Sequence, residues 1–106
     1  MKKVLITGGT GFIGSHLAEK LVKKGYKVTV FDRYNPNYSL GNLDNSIYKK
    51  KINFVFGDIR DFDSVDNVIK KNDIVFHLAA LIGIPYSYIS PNAYIKTNVE
   101  GTYNVL

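Results

Sequence analysis

Gly9-Thr10-Gly11-Phe12-Ile13-Gly14 places three glycines in a G-x-G-x-x-G spacing, and Gly8, Gly11 and Gly14 also form G-x-x-G-x-x-G. Glycines so spaced suit a tight turn whose backbone approaches a pyrophosphate closely, with the last one letting a helix pack against its strand. The phosphates would then lie on the amides of a helix N-terminus. Asp32 stands 18 positions beyond Gly14, near the spacing expected of a carboxylate that accepts ribose hydroxyls. Gly9 and Gly14 also open a P-loop pattern, but Ser15-His16 occupy the places of its Lys-Ser/Thr, so no cation would reach a terminal phosphate. The chemistry indicated is the binding of a dinucleotide. The bland alternative is a glycine-rich turn with no ligand.

That reading requires a strand before the glycines and a helix after them. Lys3 to Thr7 is a β-branched apolar run of the kind buried on both faces of a parallel sheet. From Phe12 the apolar residues Ile13, Leu17 and Leu21 recur at helical spacing, ending at Gly25 as a C-terminal stop. Lys27 to Asp32 predicts a second strand ending on the acid, Ile52 to Asp58 a third and Asp73 to Leu78 a fourth. Between the last two, Asp61 is a candidate N-cap for a helix to Lys71, with Phe62, Val65, Val68 and Ile69 as its buried stripe. Arg33 to Lys51 is polar and predicted mostly as loop, with a short helix around Leu43 to Lys50; Asn92 to Leu106 is helix-compatible. Strands alternating with helices imply right-handed crossovers, and so an α/β fold with a three-layer, doubly wound parallel sheet (Rossmann), of which this is the N-terminal part.

Composition narrows the function classes. The 106 residues suit one domain, with 45% apolar residues to build a core. There is no cysteine, which excludes disulfides, Cys-ligated metals and thiol nucleophiles; no metal site is expected. The N-terminal apolar run is too short for a signal peptide and no window approaches a membrane span, so the expected address is the cytoplasm, without membrane partners. The net charge of +5 raises the question of nucleic acid. Lys20, Lys23 and Lys24, and Lys70 and Lys71, instead fall at the predicted ends of helices, where they complement the dipole. Aromatics are not interleaved with them as stacking platforms, so no nucleic-acid partner is expected.

Four segments carry a family resemblance: Thr7 to Leu17, Gly57-Asp58-Ile59-Arg60-Asp61, His77-Leu78-Ala79-Ala80 and Thr97-Asn98-Val99-Glu100-Gly101-Thr102. In this order the chain resembles the extended short-chain dehydrogenase/reductase superfamily, and within it the NAD-dependent nucleotide-sugar epimerases and dehydratases, over essentially its whole length. Leu81 to Tyr88 is most similar to sugar-nucleotide 4,6-dehydratases, with 4-epimerases next. The resemblance implies that Phe12 and Ile13 offer amides to the pyrophosphate, that Asp32 binds the adenosine ribose, and that Asp58 and Ile59 edge the adenine. Leu78, Ala79 and Ala80 would line the nicotinamide half, with Asn98 supporting that side. NAD is expected over NADP because a carboxylate repels a 2′-phosphate, although Arg33 is placed to neutralise one.

The family's Tyr-x-x-x-Lys pair, in which the lysine lowers the tyrosine pKa, has no counterpart: no tyrosine here is followed by Lys four residues later. The chain is therefore expected to be the NAD(P)-binding domain, residues 1–106, of a longer enzyme, ending before its catalytic residues and substrate lobe. That parent would oxidise C4 of a nucleotide-linked hexose, as a 4,6-dehydratase or a 4-epimerase; a non-catalytic dinucleotide sensor is the reading from another class. His77 and His16 are expected to be structural, and Tyr86, Tyr88 and Tyr94 either approach substrate or cover the sheet end. An apolar edge strand, Ile74 to Leu78, suggests pairing with a second copy.

Overall fold

The computed structural model describes residues 2–33, 41–79 and 89–106. Four parallel strands, β1 (Lys3–Thr7), β2 (Lys27–Asp32), β3 (Ile52–Phe56) and β4 (Ile74–His77), form one sheet in the order β3-β2-β1-β4. β1 lies at its centre, with Val4 opposite Val28 on one side and Ile74 on the other. The β-branched run from Val4 to Thr7 is fully buried because both faces of β1 are covered.

Alternation along the strands divides two apolar cores. Val4, Ile6, Val28 and Val30 face Ala18 of helix α1 (Phe12–Lys23), while Leu5 and Phe31 face Val65 and Val68 of helix α2 (Phe62–Ile69). These are the two outer layers of the doubly wound arrangement. The third and fourth strands are shorter than the sequence predicts, ending at Phe56 and His77.

Helix α1 closes as a Schellman motif: Tyr26 N–H donates to Leu21 C=O and Gly25 N–H to Val22 C=O. Gly25, at φ +93, supplies the left-handed residue that this ending needs. Lys20 and Lys23 occupy the last turn, as expected. Asp61 caps α2 by accepting from Asp63 N–H (3.2 Å) and the Ser64 hydroxyl (2.8 Å). Past its end, Lys70 pairs with Asp66 at 2.8 Å.

Two expectations are corrected and a third is refined. Phe62, assigned to the buried stripe of α2, is 55% exposed; at 100° per residue it lies at the margin of the Val65–Val68 face, in a first turn with nothing above it. The polar stretch before β3 has no helix from Leu43 to Lys50. Its described part, from Gly41 on, holds two 3₁₀ turns, Gly41–Leu43 and Lys49–Lys51, and is anchored by Leu43, which enters the α1-side core. The C-terminal run is helical as expected, though not uniformly α: α3 (Pro91–Tyr94) leads through a π-helical segment, Ile95–Glu100, to α4 (Gly101–Val105). There the Thr102 hydroxyl donates to Asn98 C=O at 2.7 Å, a side chain entering the backbone ladder. The end of the run packs against α2, where Gly101 is pressed onto Ile59. β4 bonds only to β1 among the described residues, so it is an edge strand here, with Phe76 partly exposed.

Candidate functional site

A cavity of about 560 Å³ opens at the carboxyl ends of β1, β2 and β4, where ligands of open parallel sheets bind. Its floor is the glycine-rich turn between β1 and α1, with Gly8, Gly11, Phe12, Ile13 and Gly14 in the lining. Asp32, Arg33 and Ile59 line one side, and Leu78 and Ala79 the other. Ten of the residues singled out in the sequence thus meet around one space.

The glycines differ in what requires them. Gly8, at φ +71, donates its N–H to Phe31 C=O across the sheet (2.9 Å), and a Cβ on it would lie 2.9 Å from Ala79 N. A Cβ on Gly14 would come within 2.4 Å of Gly8 C=O. Both positions are therefore closed by the protein's own backbone. Gly11 is not: its φ is −73, and the nearest atom to an added Cβ is Gly8 O at 3.4 Å. The space beside Gly11 opens into the cavity, above the first turn of α1. The N–H groups there have no intrahelical acceptor, and the first turn carries no acidic residue of its own. A cradle of this shape and polarity fits a diphosphate.

Asp32 closes the far end of the cradle. Its Oδ2 accepts the Thr10 amide at 3.1 Å and the Thr10 hydroxyl, and its Oδ1 accepts Arg33 N–H at 2.8 Å. The carboxylate is thus held in place at the cavity wall. Asp32 and Arg33 are the titratable side chains of the described lining. The lining therefore offers binding groups, and no tyrosine–lysine pair.

Two sequence-selected residues, Asp58 and Asn98, stand outside this lining. Asp58 lies beside the cavity but outside its lining; its carboxylate is turned to the Arg60 guanidinium, which accordingly holds its pKa below the ordinary carboxylate value. Asn98 does not line the cavity, whereas its neighbour Thr97, 7% exposed, does. Ala80 lies outside the described residues, as do Tyr86 and Tyr88. His16 Nδ1 is 2.7 Å from Phe12 C=O, on its own helix. His77 bonds to two threonine hydroxyls rather than to backbone.

Sequence reasoning missed Thr10, Phe31, Gly57 and Thr97 as parts of the cavity wall. Thr10 had a legible signal, a hydroxyl within the glycine turn, and Gly57 and Thr97 lie in two of the segments that carry the resemblance. Gly57 is defined by packing: a Cβ there would meet the Phe31 ring at 2.9 Å.

The family profile described as GDP-mannose 4,6 dehydratase matches residues 5–106. The chain is 40% identical to the UDP-N-acetyl-alpha-D-glucosaminuronate decarboxylase of Bacillus cytotoxicus, over 99% of this chain and 32% of that protein. It is 38% identical to the UDP-glucose 4-epimerase of Neisseria meningitidis, over 96% of this chain and 31% of that protein. Among solved structures, the UDP-glucose-4-epimerase of Stenotrophomonas maltophila, with bound NAD and formylated UDP-arabinopyranose, superposes with a TM-score of 0.84. There the identity is 31%, over 99% of this chain and 32% of that one. The chain spans about a third of the length of the curated relatives it matches.

Proposed function

The chain belongs to the GDP-mannose 4,6 dehydratase family of nucleotide-sugar epimerases and dehydratases, and from that premise we propose that residues 1–106 hold NAD for an enzyme acting on a nucleotide-linked hexose. The chemistry NAD would supply when bound is the reversible acceptance of a hydride from C4 of the sugar. The work of this chain is to bind and orient. Phe12 and Ile13, in the first turn of α1, offer their amides to the diphosphate; Asp32 accepts the adenosine ribose hydroxyls; Leu78 and Ala79 form the apolar wall on the nicotinamide side, and the resemblance assigns Ala80 to the same role. Asp58 and Ile59 border the adenine end, and Asn98 supports the nicotinamide side from the helical run.

The observation that carries this reading is Gly11. The fold leaves room there for a side chain, so the glycine answers to a ligand that comes close to the backbone. In the division of labour we propose, the Tyr-x-x-x-Lys pair and the substrate lobe belong to the remainder of the enzyme. A 4,6-dehydratase is the reading we favour, on the similarity of Leu81 to Tyr88. The alternative is a 4-epimerase, supported by the likeness to UDP-glucose 4-epimerases.

Calorimetric titration with both dinucleotides tests the proposal. NAD is expected to bind more tightly than NADP, because Asp32 would repel a 2′-phosphate even with Arg33 adjacent. Absence of binding, or tighter binding of NADP, would overturn it.

A further inference from the structure

Where β4 ends, the hydrogen bonds leave His77 one arrangement of its ring proton. Thr102 Oγ1 donates to Asn98 C=O at 2.7 Å, which commits its single proton. It lies 2.9 Å from His77 Nε2, so it accepts there and Nε2 carries the hydrogen. On the other side of the ring, Thr7 Oγ1 accepts Leu78 N–H at 3.0 Å and Ala79 N–H at 3.2 Å. Both lone pairs are then occupied, and its own proton points to His77 Nδ1 at 2.7 Å. All donors in this chain of bonds run one way, from the Leu78 and Ala79 amides through Thr7 and His77 to Thr102 and Asn98.

We propose that His77, as the neutral Nε2–H tautomer, is a positioning residue of the dinucleotide pocket: it turns the Thr7 hydroxyl so that Thr7 clamps the Leu78–Ala79 wall, and it ties that wall to the helical run bearing Thr97. The role rests on the dinucleotide-binding reading above. Thr7 is 1% exposed, so water does not readily replace a missing partner. Leu78 N–H has a second acceptor in Thr7 C=O at 3.1 Å, so Ala79 depends most on the hydroxyl. A Cβ added to Gly8 would lie 2.9 Å from Ala79 N, and both residues line the cavity, so the position of the Ala79 backbone bears on the cavity's width.

Two measurements on the full chain test this. In ¹⁵N-histidine spectra at neutral pH, His77 is expected to show a protonated Nε2 and a bare Nδ1; the opposite pattern would overturn the proposal whether or not a dinucleotide binds. In NAD titrations, His77→Phe, which has no acceptor for Thr7, is expected to weaken binding about tenfold. His77→Asn, whose Oδ1 occupies the place of Nδ1, should recover most of that loss. Should His77→Phe not fold, Thr7→Val with Thr7→Ser as its rescue reads the same clamp from the other side. Equal NAD affinity in all folded variants would overturn the positioning role and leave NAD binding standing. No NAD binding by the unmutated chain would overturn the pocket's assignment, and the role with it, while the tautomer could still be observed.

Discussion

The Thr10 amide and hydroxyl both donate to Asp32 Oδ2, so the acid at the end of β2 is oriented by the middle of the glycine-rich turn. The two groups expected to receive opposite ends of a dinucleotide's adenosine diphosphate half are thereby mechanically one unit. Thr10→Val removes the hydroxyl from a partly exposed site at nearly constant shape. NAD affinity is expected to fall about tenfold, the value of one hydrogen bond to a charged group, with the melting temperature little changed. Calorimetry and a thermal melt on the same sample check this.

Gly11 and Gly14 make opposite predictions for the same substitution. Gly14→Ala drives a methyl into Gly8 C=O and is expected to destabilise the fold by about 3 kcal/mol or more, since neither contacting group is the end of a flexible side chain. Gly11→Ala meets no such obstacle and is expected to cost within about 1 kcal/mol, as at other N-cap positions, while weakening NAD binding severely. Denaturant unfolding in the absence and presence of NAD separates the two effects.

Acid should weaken the fold through His77. Burial lowers its pKa in the folded chain, whereas the unfolded chain titrates near the free value of about 6.5. Between the two values the unfolded state binds more protons, so stability falls as pH drops through about 6.5 and levels off below the folded pKa. Melting temperature followed from pH 8 to pH 5 checks the sign, and His77→Asn should flatten this part of the profile.

The 106-residue chain is expected to bind NAD without turning over any nucleotide sugar, because the cavity's described lining holds Asp32 and Arg33 as its titratable groups and no phenol–lysine pair. General acid–base groups contribute about 10²- to 10⁴-fold. Product formation measured by chromatography at a rate near that of full-length relatives would refute this.

The alternation of β-branched runs with helical periods, the glycine spacing and Asp32 are local features, and so the sequence by itself determined the element order, the doubly wound class and most of the cavity wall. Secondary-structure periods and turn glycines are properties of neighbouring residues. The adjacency of Thr7 and His77, 70 positions apart, is not: it follows from the placement of β4 beside β1. The Thr10–Asp32 contact, the burial of Leu43 under α1 and the inward turn of Thr97 at the π-helical segment are likewise tertiary. Those facts depend on which surfaces meet once the strands have been ordered, and side-chain hydrogen bonds across strands form only then.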